Sequence, residues 1–418
     1  MKTVKLLLLV TIIVVMVCGG CTKESDMSAP REWAFEMEKV WEIQQIGEDE
    51  LLRPAEPRVA DDGTLYFHDF ARHLSYIIDG DGKLVSTFAP RGSGEGEVPF
   101  YINCFPAGDY VVICAMDAFH FFTRQGRFVK AVPNNLFVRF PLAFKNENEF
   151  WVAPGALGDS PGGLVVVTHV NLASGEETTV HEFALFNEEK NPTGGGVVVG
   201  LTPQVKMGFD RQSDRVYYGK NSDTVIYRLA GGGGKVDSFS FTGVQQPVSE
   251  AEKRNHFAKF DIPEEPMAMM VEALPDQMAY YNRIQVVDGL VYLFSAESID
   301  HAQSGQVVNI FSPEGRHLYY GRIQVEEGWH ISSPDNLQLA HGFIYAVQEN
   351  DAGDKKNRQI QDSTPSIVSY RAHTIGACGK LEVSSPEDTQ LGRSVARKKN
   401  QEKTVTIWSQ STRQKRRL

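Results

Sequence analysis

Cysteine is scarce in this chain, five in 418 residues, which excludes a fold held together mainly by disulfides. Basic charge is also short: 42 Lys and Arg stand against 53 Asp and Glu, for a net charge of −11. No basic face is available to displace phosphate counterions, so nucleic acid is not expected as a partner. The longest apolar run, Leu6 to Val17, is too short to span a bilayer comfortably. The 11 histidines contain no H-x-H or H-E-x-x-H spacing, and no G-x-S-x-G elbow occurs. The glycine runs Gly194 to Gly196 and Gly231 to Gly234 lack the Lys-Ser/Thr ending of a phosphate cradle. No motif implies a cofactor. What is abundant is glycine, 37 residues, and phenylalanine, 24, spread among short apolar runs with a turn about every ten residues. That pattern marks an all-β chain.

Residues 1–20 read as a leader: Lys2 and Lys5 precede the apolar run, and Cys18-Gly19-Gly20-Cys21 follows it. Small residues ahead of a cysteine resemble the bacterial lipobox, in which the thiol is acylated, and Cys21 is the expected lipidation site. Cys18 departs from the usual Leu three places before the modified residue, and a plain secretory signal or an uncleaved anchor are the alternatives. Acyl chains contribute about 0.8 kcal/mol per buried methylene, enough in pairs to hold a soluble domain at a membrane. Thr22 after the cysteine resembles an outer-membrane destination. Residues 21–32 then form a tether.

The stretch Pro57 to Val98 contains one complete four-stranded unit. Strands at Arg58 to Ala60, Thr64 to His68, Leu74 to Ile78 and Lys83 to Ala89 are joined by Asp-Gly turns at Asp62-Gly63 and Asp81-Gly82. Degenerate copies follow from Tyr101, Leu142, Val205, Arg283 and Leu337. Gly82 and Gly126 are 44 residues apart, within the period of about 40 to 50 of propeller blades. Between the fourth and fifth copies, Ser249-Glu250-Ala251-Glu252 is a capping box, and one or two short helices are expected after it. The sixth copy lacks a fourth strand. Trp33 to Ile46, an alternating strand without a hairpin partner, is expected to supply it and so close a ring without a free edge. Lys380 to Val383 is the competing candidate. Cys104 and Cys114 flank the turn at Pro106 to Asp109; a register placing Cys104 opposite residue 111 keeps them apart, as buried thiols.

The pattern resembles the six-bladed propellers of the NHL and TolB-like superfamily, bacterial lipoproteins of that class in particular. Pro90 to Glu97 is similar to the G-x-G-x-G-E link between blades, and Asp69 to Tyr76 to the D-x-x-x-x-R-I-x-V-F step. The resemblance implies an all-β, six-bladed propeller over residues 33–376, closed by the amino-terminal strand, with a helical insertion between blades 4 and 5. It also implies the cell envelope as location. Residues 377–418 end in a basic cluster and are expected to be a solvated tail, with an electrostatic tether or an out-of-frame readout as the other readings.

Propellers similar to gluconolactonase place acidic and amide side chains around one axial cation. Asp69, Asp117 and Asp223 follow the second strand of three units and could converge that way, but Asp at that step also caps its own turn, the favoured reading. A second candidate surface is a rim of Phe70, Arg72 and His73 with Phe119 and His120, aromatic and cationic groups that suit a carbohydrate or peptide, although packing of Phe70 and Phe119 between blades is the favoured reading of those two rings. The candidate ligand-binding residues are therefore Asp69, Arg72, His73, Asp117, His120 and Asp223. The expected function is a non-enzymatic, lipid-anchored module that binds a carbohydrate, peptide or protein at the envelope. A channel-centred metal-dependent hydrolase, lactonase or lyase is the alternative.

Overall fold

A computed structural model of the chain describes residues 29–133, 139–154, 164–184, 201–230, 236–258, 262–297, 305–331, 333–350 and 365–375. The leader with Cys21, most of the tether, both glycine runs and the tail lie outside them.

The strands form six blades, each built by neighbours in sequence. Blade 1 holds Pro54–Val59, Leu65–Asp69, Leu74–Ile78 and Leu84–Phe88; blade 2 holds Tyr101–Ala107, Tyr110–Ala115, Ala118–Thr123 and Phe128–Pro133. Blade 3 holds Arg139–Phe144, Glu149–Pro154, Leu164–Asn171 and Glu176–Ala184; blade 4 holds Val205–Asp210, Arg215–Lys220, Val225–Ala230 and Asp237–Ser240. Blade 5 holds Tyr281–Val287, Leu290–Ser295, Gly305–Phe311 and His317–Gln324. The first strand of each blade touches the first strands on either side of it, and these contacts run round to blade 1 again. The protein is a six-bladed β-propeller.

Blade 6 is completed from the other end of the chain. Leu337–Ala340, Phe343–Asn350 and Pro365–Ile375 are joined by Ala34–Ile43, which pairs antiparallel with the last of them. A short strand, Trp329–Ile331, pairs with the remaining half of Phe343–Asn350. The amino-terminal segment does more than the single strand expected of it: Arg31–Glu32 first runs parallel to the outer strand of blade 5. Gly321 permits the crossing, because any Cβ there would meet the Trp33 carbonyl. Residues 31–43 are thus hydrogen-bonded into two blades, 5 and 6.

Side chains alternate across each strand, so every blade packs on both neighbours. In Tyr110–Ala115, Val111, Ile113 and Ala115 face the blade 1 side, while Val112 and Cys114 face blade 3. This corrects the cysteine register. Ala107 pairs with Tyr110, which sets Cys104 opposite Ile113 and Cys114 opposite Asn103. The two thiols are buried and free because they project from opposite faces of the sheet. Pro106 belongs to the strand, not the turn; it is tolerated because the first strand of a blade has a free inner edge.

A second contact repeats between blades. At Gly82, Gly126 and Gly315 the glycine in the turn before an outer strand has positive φ and receives an aromatic ring from the outer strand of the preceding blade, whereas the space beside Gly175 in blade 3 is open. A Cβ on Gly126 would lie 2.9 Å from Phe88, and one on Gly315 would strike Phe239. At Gly82 the ring is Trp41, 2.8 Å from such a Cβ, and its indole N–H donates to the Gly80 carbonyl at 3.1 Å. The amino-terminal strand therefore makes the same contact as any internal outer strand.

Helices α1 (Glu250–Phe257) and α2 (Glu264–Ala273) form the insertion between blades 4 and 5. The capping box is formed: Ser249 Oγ accepts from the Glu252 N–H, and Glu252 accepts from the Ser249 N–H. Phe257, Val271 and Met278 pack the insertion onto Leu201 and Ala296.

Candidate axial binding site

The first strands carry few polar residues, but those they carry converge. In Pro54–Val59 the pairing slips between Ala55 and Arg58, a bulge at which Glu56 takes a φ of 56°. A left-handed glutamate is uncommon, and bulges re-aim side chains at functional sites. The Glu56 N–H donates to Asn336 Oδ1 at 2.9 Å, which fixes the bulge against blade 6. The carboxylate receives one long hydrogen bond, from the Tyr101 hydroxyl at 3.5 Å. A second slip, between Tyr281 and Arg283, precedes the arginine of blade 5.

Around Glu56 stand Arg58 on its own strand, Arg283 from blade 5 and Asp335 from the turn leading into blade 6; their fields act on its carboxyl group. Arg58 donates to Asn103 Oδ1 of blade 2 at 3.2 Å. Arg283 is held by blade 6: it donates to the carbonyls of Leu337 and Asp335 and, at 2.8 Å, to Gln338 Oε1. Lys206, the second residue of Val205–Asp210, feels both Asp335 and Arg283. Its ammonium has no hydrogen bond or ion pair among the described residues. Blades 1, 4 and 5 and the turn into blade 6 thus contribute charged groups to one place on the axis, and blade 2 lines it with Tyr101 and Asn103.

Enclosure sets the protonation behaviour. Burial pushes the Glu56 carboxyl up to about 7, with Arg58 opposing and Asp335 adding to the rise. Burial brings Arg283 down to about 9, assisted by Arg58. It also lowers Lys206, against the pull of Asp335. These side chains are nonetheless only half-buried by surface, as expected of groups that line a channel.

Lys206, Arg283 and Asp335 lie at or before the beginnings of their first strands, while Glu56 and Arg58 lie at the bulge within Pro54–Val59. At the finishing ends, Arg211 follows the first strand of blade 4 and reaches across the axis. It donates to the Pro106 carbonyl of blade 2 and to the Phe144 and Lys145 carbonyls of blade 3, the latter at 3.3 Å. Its Nε lies 3.7 Å from Asp61 in blade 1. One end of the channel is tied across; the other presents charge.

An axial divalent cation, as the gluconolactonase resemblance implies, fits this donor set poorly. Two carboxylates share the space with three cationic side chains, which would repel a metal ion. Among the described residues no three His, Cys, Asp or Glu side chains are grouped to hold one.

The residues singled out from the sequence lie further out. Asp69 is fully buried, and its carboxylate accepts from the backbone N–H groups of Leu52, Arg53, Ala71 and Arg72 at 2.8 to 3.1 Å. In blade 4 the chain entering the blade is held by Asn221, whose Oδ1 accepts from the Gln204 N–H at 2.7 Å. Asp223 sits two positions on and pairs with Lys220 at 3.2 Å. Asp117 is exposed, 3.7 Å from buried His120. Arg72 holds the small hairpin of Gln45–Ile46 and Asp49–Glu50 through the Glu50 carbonyl and Asp49. Phe119 packs on Phe144 and Phe150 between blades 2 and 3. His73 and Phe70 do come together, in a cavity of about 160 Å³ with Arg53, His68, Arg91 and Tyr101. There His68 stacks flat on Tyr101 at 3.9 Å, so the cavity and the axial site share the Tyr101 wall.

No protein-family model and no curated protein sequence matches the chain. Solved structures do. A member of the DUF4221 family from Bacteroides vulgatus aligns at a TM-score of 0.52 and 11% identity, over 82% of this chain and 99% of that one. They share the propeller fold. A protein from Bacteroides fragilis aligns at 0.48 and 12% identity, over 84% and 98%. Virginiamycin B lyase from Staphylococcus aureus follows at 0.39 and 11% identity, over 81% and 99%.

The axial set was missed in the sequence because its members are single polar residues separated by up to 279 positions, from Glu56 to Asp335. A signal did exist. The first strands of blades 1, 2, 4, 5 and 6 each carry a polar residue among buried apolar ones: Glu56 and Arg58, Asn103, Lys206, Arg283, and Gln338.

Proposed function

We propose that this propeller is a ligand-binding module of the cell envelope, held there by lipid on Cys21, and that it takes its ligand at the charged end of the axial channel. The observation that carries this is the convergence of Glu56, Arg58, Lys206, Arg283 and Asp335 at one end, with Arg211 tying the other. Holding five ionisable groups in an enclosed space costs desolvation energy that packing alone does not reward. Propellers bind ligands where elements from many blades meet, and this end meets that description. The aromatic and cationic cavity at Phe70, His73 and Arg91 opens beside it and suits the carbohydrate or peptide class expected from the sequence. A metal-dependent lactonase, hydrolase or lyase is the second reading, and the cationic donor set does not favour it.

The test is equilibrium dialysis of the full chain against a defined mixture of saccharides, short peptides and organic acids, read by mass spectrometry. At least one component should be retained by the wild type and lost from an Arg58→Gln, Lys206→Met variant. Retention of nothing, or equal retention by both proteins, contradicts the channel as the site. The anchor has its own measurement: Cys21→Ser should abolish palmitate labelling, and unchanged labelling overturns the assignment.

A further inference from the structure

We infer that the axial site binds a small organic carboxylate, held by the Lys206 ammonium and the Arg58 guanidinium, and that Glu56 takes up a proton from solvent as the carboxylate arrives. This rests on the axial site being the binding site and adds the chemical class of its ligand.

Charge balance comes first. Arg58 and Arg283 act on Glu56, and Lys206 and Arg283 on Asp335; with Glu56 ionised, that is a surplus of one positive charge inside a chain of net charge −11. A cation is repelled from such a place, and a neutral ligand leaves the surplus uncompensated. An anion offsets it, whether Glu56 is ionised or protonated.

Availability of donors comes next. Arg283 spends its guanidinium on Leu337, Asp335 and Gln338 and acts as a positioning group. Arg58 uses one arm on Asn103 and a long bond to the Pro57 carbonyl, so donors remain. Lys206 has all three ammonium protons without a hydrogen-bond partner among the described residues. A half-buried ammonium in that condition is open to a ligand's oxygens. The Asn103 amide N–H₂, on the same wall, suits a hydroxyl group on the same ligand. Hydroxy acids and acidic sugars fit the whole set.

The proton follows from the position of Glu56. The groups facing it are Arg58 on its own strand, Tyr101 from blade 2, Arg283 from blade 5, and Asp335 and Asn336 from the turn before blade 6. Its carboxyl already titrates near neutrality, at about 7. A second carboxylate beside it disfavours its charged form further, so binding transfers a proton from buffer to Glu56 and strengthens as pH falls.

The experiment is isothermal titration of the full chain with lactate and glucuronate, and with glycerol, glucose and inorganic phosphate as comparisons. It is run at pH 6, 7 and 8 in two buffers of different ionisation enthalpy. At least one carboxylate should bind while its neutral counterpart does not, with affinity rising from pH 8 to 6 and with heats that differ between buffers. Lys206→Met should weaken binding by about tenfold to a hundredfold, Lys206→Arg should restore most of it, and Glu56→Gln should bind without buffer dependence. Unchanged circular dichroism of each variant keeps these comparisons valid. Tighter binding of phosphate, no binding of either carboxylate, or buffer-independent heats in the wild type overturn the inference. A neutral sugar whose binding needs Lys206 overturns the carboxylate class and leaves the channel reading standing; carboxylate binding indifferent to Lys206→Met overturns both.

Discussion

Replacing Asp69 separates a residue that builds a blade from one that meets a ligand. Its two carboxylate oxygens accept from Leu52 and Arg53, in the chain entering blade 1, and from Ala71 and Arg72, in the turn after the second strand. A hydrogen bond to a charged group contributes about 1.5–3 kcal/mol net. Four sharing one acceptor do not add, and three of the donor residues are exposed enough for water to replace part of the loss. Asp69→Ala should therefore cost about 3–4 kcal/mol. Asp69→Asn keeps one acceptor oxygen but turns an amide N–H₂ toward backbone donors, for about half that cost. Urea unfolding followed by tryptophan fluorescence measures both. The order wild type, Asn, Ala in midpoint is expected. An Asp69→Ala protein within about 1 kcal/mol of wild type refutes the turn-building role.

Two further outcomes follow from other parts of the ring. Gly82→Ala should destabilise by about 1–3 kcal/mol, combining a strained positive φ with the Trp41 contact. Gly63→Ala has nearly the same φ, 82° against 81°, and open space around it; it should cost only the strain, and equal losses at the two sites would mean Trp41 is not seated there. Glu56 ionises at about 4.5 when unfolded and about 7 in the fold, so the folded state binds the extra proton and stability falls as pH rises through that window. His68, lowered to about 4 by burial, has the opposite slope, since stability is lost as pH falls from 6.5 towards 4. Glu56→Gln should remove the first slope and expose the second, giving a protein more stable than wild type at pH 8 by about 1–2 kcal/mol; a urea-midpoint profile parallel to wild type from pH 5 to 8 contradicts this.

How far the sequence reaches differs between scaffold and site. The blades were legible because strand alternation and Asp-Gly turns are local, and the seam because Trp33 to Ile46 alternates yet has no neighbour to pair with. The capping box at Ser249 was legible for the same reason: its chemistry is complete within four residues. Register was not, since Pro106 reads as a turn residue until its strand is known to have a free edge. Nor was the part played by Asn221, because its Oδ1 reaches the N–H of Gln204, 17 residues earlier. The axial site depends on ring closure and on a bulge that aims Glu56 inward, and neither is written in any short stretch.

Pairing of Ala34–Ile43 with the last strand of blade 6 closes the ring that brings the axial groups together. Met37 and Ala372 face each other across that seam. Cysteines at both positions, with Cys18, Cys21 and Cys378 replaced and Cys104 and Cys114 left buried, should form an intramolecular disulfide on mild oxidation, seen as faster migration in a non-reducing gel. Thiols that stay reduced, or that join only between molecules, would contradict the closed ring.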